Sequence, residues 1–171
     1  MNVLQAVRQR RTIRTYRRTP IPDDVLDRLV LSLRWAPSSG NLQRRKFYFV
    51  FDPKLRKSLA KIALDQTFVA QAPLCVVACA DHRIEKDYGQ PGVDLFCLLD
   101  VAASLQNLGL VAYEEGLGTC WVGAFEEQEV RDLLDLPKYL RPVSLMSVGY
   151  PAEDPEAPPR VSRRRAIVEI R

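Results

Sequence analysis

Two short stretches hold most of the residues that could do chemistry. In the first, Arg10-Arg11-Thr12-Ile13-Arg14, three guanidiniums surround a hydroxyl. Arginine presents its donors as a planar fork that meets phosphate bidentately, so this set is equipped to grip a phosphate. In the second, Pro37-Ser38-Ser39-Gly40-Asn41-Leu42-Gln43, two hydroxyls and two carboxamides crowd one turn. Together they suit a ligand with a phosphate at one end and a polar heteroaromatic edge at the other. A solvated basic face or a nucleic-acid patch would also use arginines. The embedded hydroxyl and the compactness of the cluster argue against both.

What is missing narrows the chemistry further. There is one histidine, His82, so an imidazole-rich zinc site is excluded and a nucleophilic triad would have to rest on that residue alone. No metal site is expected. Cys75, Cys79, Cys97 and Cys120 form no CxxC pair and read as buried reduced thiols, which fits a cytoplasmic setting. Gly116 to Gly123 spells GxGxxxxG, offset from the dinucleotide fingerprint and placed after a helix; no GxxxxGK occurs. Gly116 and Gly118 read as a helix stop, and Gly123 as a point where backbone lies against a ligand. The net charge of +4 conceals its distribution. Residues 8–18 and 160–171 together carry +10 and leave −6 for the rest, an acidic body with two arginine clusters that call for an anion.

The elements that must position these residues follow from periodicity. The chain of 171 residues, 47% hydrophobic and 27% charged, has the size and mix of one domain, and no linker divides it. Helical spacing covers 2–9, then 23–35 behind Pro22 and an acidic first turn. A loop spans 37–41, a strand 47–51 and a short helix 53–62. Residues 74–80 are apolar on both faces, as in a central strand. Residues 93–115 read as a buried helix, apolar nearly all round, although no apolar run is read as a membrane span. Residues 120–125 are extended, 126–134 a surface helix and 143–150 a strand. After the proline-rich 151–159, residues 166–170 read as a last strand. The mixture is α+β.

In this order, the motifs resemble the FMN-dependent nitroreductase family, in a short-chain form. Arg10 to Tyr16 looks like its RRSxRxF opening, and Ala36 to Gln43 like its APSSxNxQ loop. Asp100 to Leu108 followed by Gly116 to Phe125 is similar to its buried helix and GLGTCWxGxF segment, and Pro142 to Pro151 to its PVALxxxGYP strand. The resemblance implies a central, mostly antiparallel sheet flanked by helices, and a homodimer with FMN at the subunit interface. Arg10, Arg11, Thr12 and Arg14 would hold the phosphate and ribityl chain, with Arg14 reaching the pyrimidine edge. Pro37, Ser38, Ser39, Asn41 and Gln43 would come from the partner subunit. Gln66 would touch the flavin. Trp121, Val122 and Gly123 would line the ring, the Gly123 amide facing N5, and Arg163 or Arg164 would add a phosphate contact.

The same resemblance implies that 151–171 is a C-terminal extension against the partner, with 166–170 joining its sheet. The 93–115 helix would lie in the dimer interface. The implied activity is NAD(P)H oxidation coupled to reduction of a small-molecule acceptor such as a nitroaromatic or quinone, by ping-pong transfer through flavin N5. No catalytic side chain is required, because the flavin carries the chemistry. Dehydrogenation, dehalogenation and flavin breakdown share these motifs, and a flavin-free nucleic-acid-binding module would make them coincidental. One departure stands out: Arg44-Arg45-Lys46 replaces the pattern's Pro-Trp-x and reads as cations beside the pocket or as solvated surface.

Overall fold

A computed structural model of the chain describes residues 2–171. Local signals start and stop its helices. Asn2 opens α1 (Val3–Gln9) with a capping box: its side chain accepts from the Gln5 amide, and Gln5 accepts from the Asn2 amide. Asp23 and Asp24 fill the first turn of α2 (Asp23–Arg34), as the helix dipole favours. Asp52 caps α3 (Pro53–Ile62) by accepting from the Lys54 and Leu55 amides, which hold its carboxyl below the usual carboxylate range. The short α4 (Phe68–Gln71) and α5 (Glu85–Pro91) precede the long α6 (Cys97–Glu114); α7 (Glu127–Leu133) and α8 (Arg163–Ala166) follow.

Four strands, β1 (Arg45–Val50), β2 (Leu74–Asp81), β3 (Gly118–Val122) and β4 (Leu140–Gly149), form one antiparallel sheet in the order β1-β2-β4-β3. Every residue of β2 is buried. Alternation sends Leu74, Val76, Ala78 and Ala80 into a layer with α2 and α6. Cys75, Val77 and Cys79 enter a second layer with α3, α4 and α7. The sheet therefore divides two cores. Each fully buried aliphatic chain in them, such as Leu29, Leu59 or Leu105, contributes about 1.5–3 kcal/mol of transfer free energy.

Four expectations change. The long helix begins at Cys97, because Gly92–Phe96 forms a π-helical turn ahead of it. It is buried on one side only: Val101, Leu105 and Leu108 meet the sheet and α2, while Leu99, like Leu95 in the turn ahead of it, is half exposed. By length and hydropathy the helical stretch His82–Glu114 could cross a membrane, contrary to the reading from sequence. In the fold α6 is instead a core helix packed on β2 and α2. Ala166 belongs to the α8 turn, and Ile167–Arg171 pairs with no strand of its own chain; the arm over residues 156–171 is exposed throughout.

The two glycines after α6 do different work. Gly116 (φ +73°) ends the helix in a Schellman arrangement, with its amide on the Tyr113 carbonyl and the Leu117 amide on the Ala112 carbonyl. Gly118 is no cap. It opens β3 where a Cβ would collide with Ile13. Gly118→Ala should therefore lower the unfolding free energy by about 1–3 kcal/mol in a urea titration. Gly123→Ala, where a Cβ meets nothing within 4 Å, should leave it unchanged.

Candidate cofactor site

The arginine segment lies along the outer edge of β3. Thr12 bridges to Thr119 in parallel register, and the Ile13 amide donates to the Thr119 carbonyl at 3.0 Å. Further on, Tyr16 bridges to Pro151, and its hydroxyl donates to the Ile13 carbonyl at 2.6 Å and bonds Ser147 Oγ at 2.8 Å. Burial pushes the Tyr16 phenol well above its ordinary pKa. Glu153 closes the strap by accepting from the Arg14 and Thr15 amides. With Ile13 and Tyr16 turned into the core, Thr12 and Arg14 face outward.

The outward side chains carry usable charge. Among the described residues neither Arg10 nor Arg14 forms an ion pair, and the Arg14 guanidinium lies 6.0 Å over the Phe68 ring beside Cys120. Arg11 behaves differently. Its Nη1 donates to the carbonyls of Arg8, Gln9 and Arg10 at 2.9, 2.9 and 3.1 Å, so this guanidinium closes the end of α1.

Gln66 and the end of β3 complete this half. Gln66 Nε2 donates to Ala63 at 2.8 Å and to Ala124 at 3.2 Å, which leaves its carbonyl oxygen to accept. Trp121 is 45% exposed, Val122 is buried, and open space lies over Gly123. Alternation along β3 explains the split: Val122 points into the core, and only its main chain can face a ligand.

The Ser38–Gln43 half sits elsewhere. Gly40, Asn41 and Gln43 are left-handed (φ +53°, +56° and +54°), which coils the loop tightly. The Gln43 amide donates to Ser38 Oγ at 3.0 Å, and Gln43 Nε2 to Asn41 Oδ1 at 3.3 Å. Arg45, half-buried on β1, donates to the carbonyls of Ala36 (2.7 Å) and Pro37 (2.9 Å). Asp100, buried on α6, accepts from the amide and the hydroxyl of Ser39. No hydrogen bond or ion pair among the described residues joins this loop to Arg10–Arg14. Nor does one join Arg163 or Arg164 to it: Arg163 pairs with Glu169, and both are exposed.

Arg45, Asp100 and Glu153 matter to these arrangements; sequence reasoning gave Asp100 and Glu153 no part in the site and read Arg45 only as a cation beside the pocket or as solvated surface. Asp100 carried a signal, an acid inside an apolar helix; Arg45 and Glu153 act through tertiary contacts that spacing does not show. Arg45 hooks the Ala36 and Pro37 carbonyls and Arg44 pairs with Asp87 at 3.3 Å, so Lys46 alone of the three cations is a plain exposed charge. Asp81 caps the turn His82–Ile84 by accepting from the Arg83 amide at 3.0 Å.

Residues 7–150 match the Nitroreductase family. The chain belongs to the nitroreductase family. A putative NADH dehydrogenase/NAD(P)H nitroreductase of Methanothermobacter thermautotrophicus is 28% identical over 91% of this chain and 80% of its own length. An FMN reductase (NAD(P)H) of Bacillus subtilis is 30% identical over 93% and 70%. The solved NADPH:FMN oxidoreductase from Vibrio harveyi, complexed with NAD+, superposes with a TM-score of 0.92 at 27% identity, over all of this chain and 78% of that one. NfrA2 of B. megaterium gives 0.91 at 30% identity, over 98% and 74%.

Within this nitroreductase-family fold all four thiols are free and buried. Burial pushes Cys75 and Cys79 up to about 12, and raises Cys97 and Cys120, the latter despite the nearby Arg14 cation. The thiolate is the reactive form. At pH 8 the native protein should leave Ellman's reagent almost unreacted, and all four thiols should titrate once the chain is unfolded in guanidinium.

Proposed function

We propose that the chain is an FMN-dependent NAD(P)H oxidoreductase, working as a homodimer with one FMN at each of two interface sites. The observation that carries this reading is the ion-pair-free Arg10–Arg14 edge beside the open main chain of Gly123 and the half-exposed Trp121. Those groups suit a phosphate at one end and a flat ring at the other. The similarity to the FMN reductase of Bacillus subtilis and to the NADPH:FMN oxidoreductase of Vibrio harveyi agrees with it.

The homodimer accounts for surface that a lone chain leaves bare. Val3, Leu4, Val7, Trp35, Leu95 and Leu99 are each at least half exposed, an apolar area typical of an interface. It also lets a partner's Pro37, Ser38, Ser39, Asn41 and Gln43 meet the arginine segment. In this account 151–171 is an extension that reaches the partner, bringing Arg163 or Arg164 to the phosphate. Residues 166–170 then add to the free edge of β1 by main-chain pairing. Four free buried thiols accord with the reducing cytoplasm.

When bound, FMN supplies the hydride acceptor and two-electron carrier that no side chain here provides. The chain's own groups bind and orient it. Arg10 and Arg14 would neutralise the phosphate and face the ring's pyrimidine end, Thr12 would donate a hydrogen bond to the phosphate, and fixed cations there would favour negative charge on the ring. Gln66 offers a carbonyl oxygen, Gly123 a main-chain N–H, and Trp121 a surface that excludes water. Donor and acceptor would then use the same ring face in turn, and nitroaromatics and quinones fit an acceptor class held by stacking.

Three measurements test this. Purified protein should be yellow and release FMN on denaturation; a colourless protein that FMN cannot reconstitute sinks the assignment. Arg14→Ala should weaken FMN binding roughly ten- to a hundredfold while the far-ultraviolet circular dichroism stays unchanged. Double-reciprocal plots with NADH or NADPH and a quinone should be parallel, whereas intersecting lines would contradict ping-pong transfer.

A further inference from the structure

We propose that Asp100 sets the hydrogen-bonding direction of the Ser38–Gln43 loop. Ser39 then meets a donor group of the flavin, a ribityl hydroxyl or a ring N–H, and not its phosphate. The inference rests on the assignment of this loop as the partner's half of the FMN site.

Asp100 is 5% exposed on the buried side of α6, and its Oδ1 accepts from both Ser39 N and Ser39 Oγ at 3.0 Å. A hydroxyl has one hydrogen. Given to the carboxylate, it leaves Ser39 Oγ with lone pairs alone. Phosphate oxygens also only accept, so the two would repel. Ser38 is wired the other way. Its Oγ accepts from the Gln43 amide, and its own hydrogen stays free to donate. Asn41 joins it as a donor, because Gln43 Nε2 occupies Oδ1 and leaves the amide hydrogens. Neighbouring serines of one chemical type thus present opposite polarity.

Arg45 makes the arrangement rigid. Its guanidinium holds the Ala36 and Pro37 carbonyls at the loop's start and lies close enough to Asp100 for the carboxylate to oppose the burial that lowers its pKa. Left-handed Asn41 and Gln43 cost free energy and persist because these anchors over-determine the loop. Asp100 and Arg45 are positioning residues, acting on the ligand through Ser39 and Pro37.

The test compares FMN with riboflavin, which lacks the phosphate, by quenching of flavin fluorescence in wild type, Ser39→Ala, Asp100→Ala and Asp100→Asn. Ser39→Ala should raise the Kd for both flavins by the same factor, about tenfold. Asp100→Ala should do likewise, Asp100→Asn should recover most of the loss through its carbonyl oxygen, and the double alanine variant should fall short of the product of the singles. A loss confined to FMN would place Ser39 on the phosphate and overturn the proposal. Unchanged affinity for both flavins would also overturn it. Wild type that binds neither flavin would instead refute the site assignment itself. If Asp100→Ala does not fold, Ser39→Ala decides, since it removes one oxygen and no packing atom.

Discussion

Everything at the candidate site depends on how the free edge of β3 is covered. An uncovered edge presents unpaired main-chain donors and acceptors. Here Thr12 and Ile13 pair with Thr119, and Ile13 closes on the bare Cα of Gly118. Tyr16 and Glu153 fasten the far end of the same strap. The cations are therefore carried on a strand whose inward residues are locked, and Arg14 needs no acidic partner to keep its place. Structural fastening and ligand capacity come from alternate residues of one segment.

The opposite edge of the sheet, β1, has no such cover, and the chain ends in an exposed arm rich in arginine and aliphatic residues. The two bare features are complementary. A second copy would satisfy both, and would unite two sets of polar residues that one chain holds apart. The nitroreductase-family relationship fixes the fold; the proposed two-chain site explains why so much apolar surface, including one face of α6, is left outside it.

Much of the fold was legible because its signals are local. Asn2 and Asp52 cap by hydrogen bonds two or three residues away, Gly116 stops α6 by its own φ, and β2 shows its burial in an unbroken apolar run. The ordered motifs marked the arginine segment and the Ser38–Gln43 loop. What escaped was tertiary. Gly118 reads as a helix stop until Ile13 is seen against it, and spacing shows neither the Val122 side chain turned inward by alternation along β3 nor the Arg11 guanidinium bonded to the end of α1. Arg45 read as solvated surface or as a cation beside the pocket, and spacing does not show that it hooks the loop carbonyls 8 and 9 positions earlier.

The central claim, that each site is built from two chains, can be tested by mixing defective partners. One variant carries Arg10→Ala and Arg14→Ala; the other carries Ser39→Ala and Asn41→Ala. Subunit exchange makes mixed dimers in which one site has both halves intact and the other has neither. Random pairing should then restore FMN binding and turnover at about one quarter of all sites. A mixture that never exceeds the average of its two components would contradict the shared site.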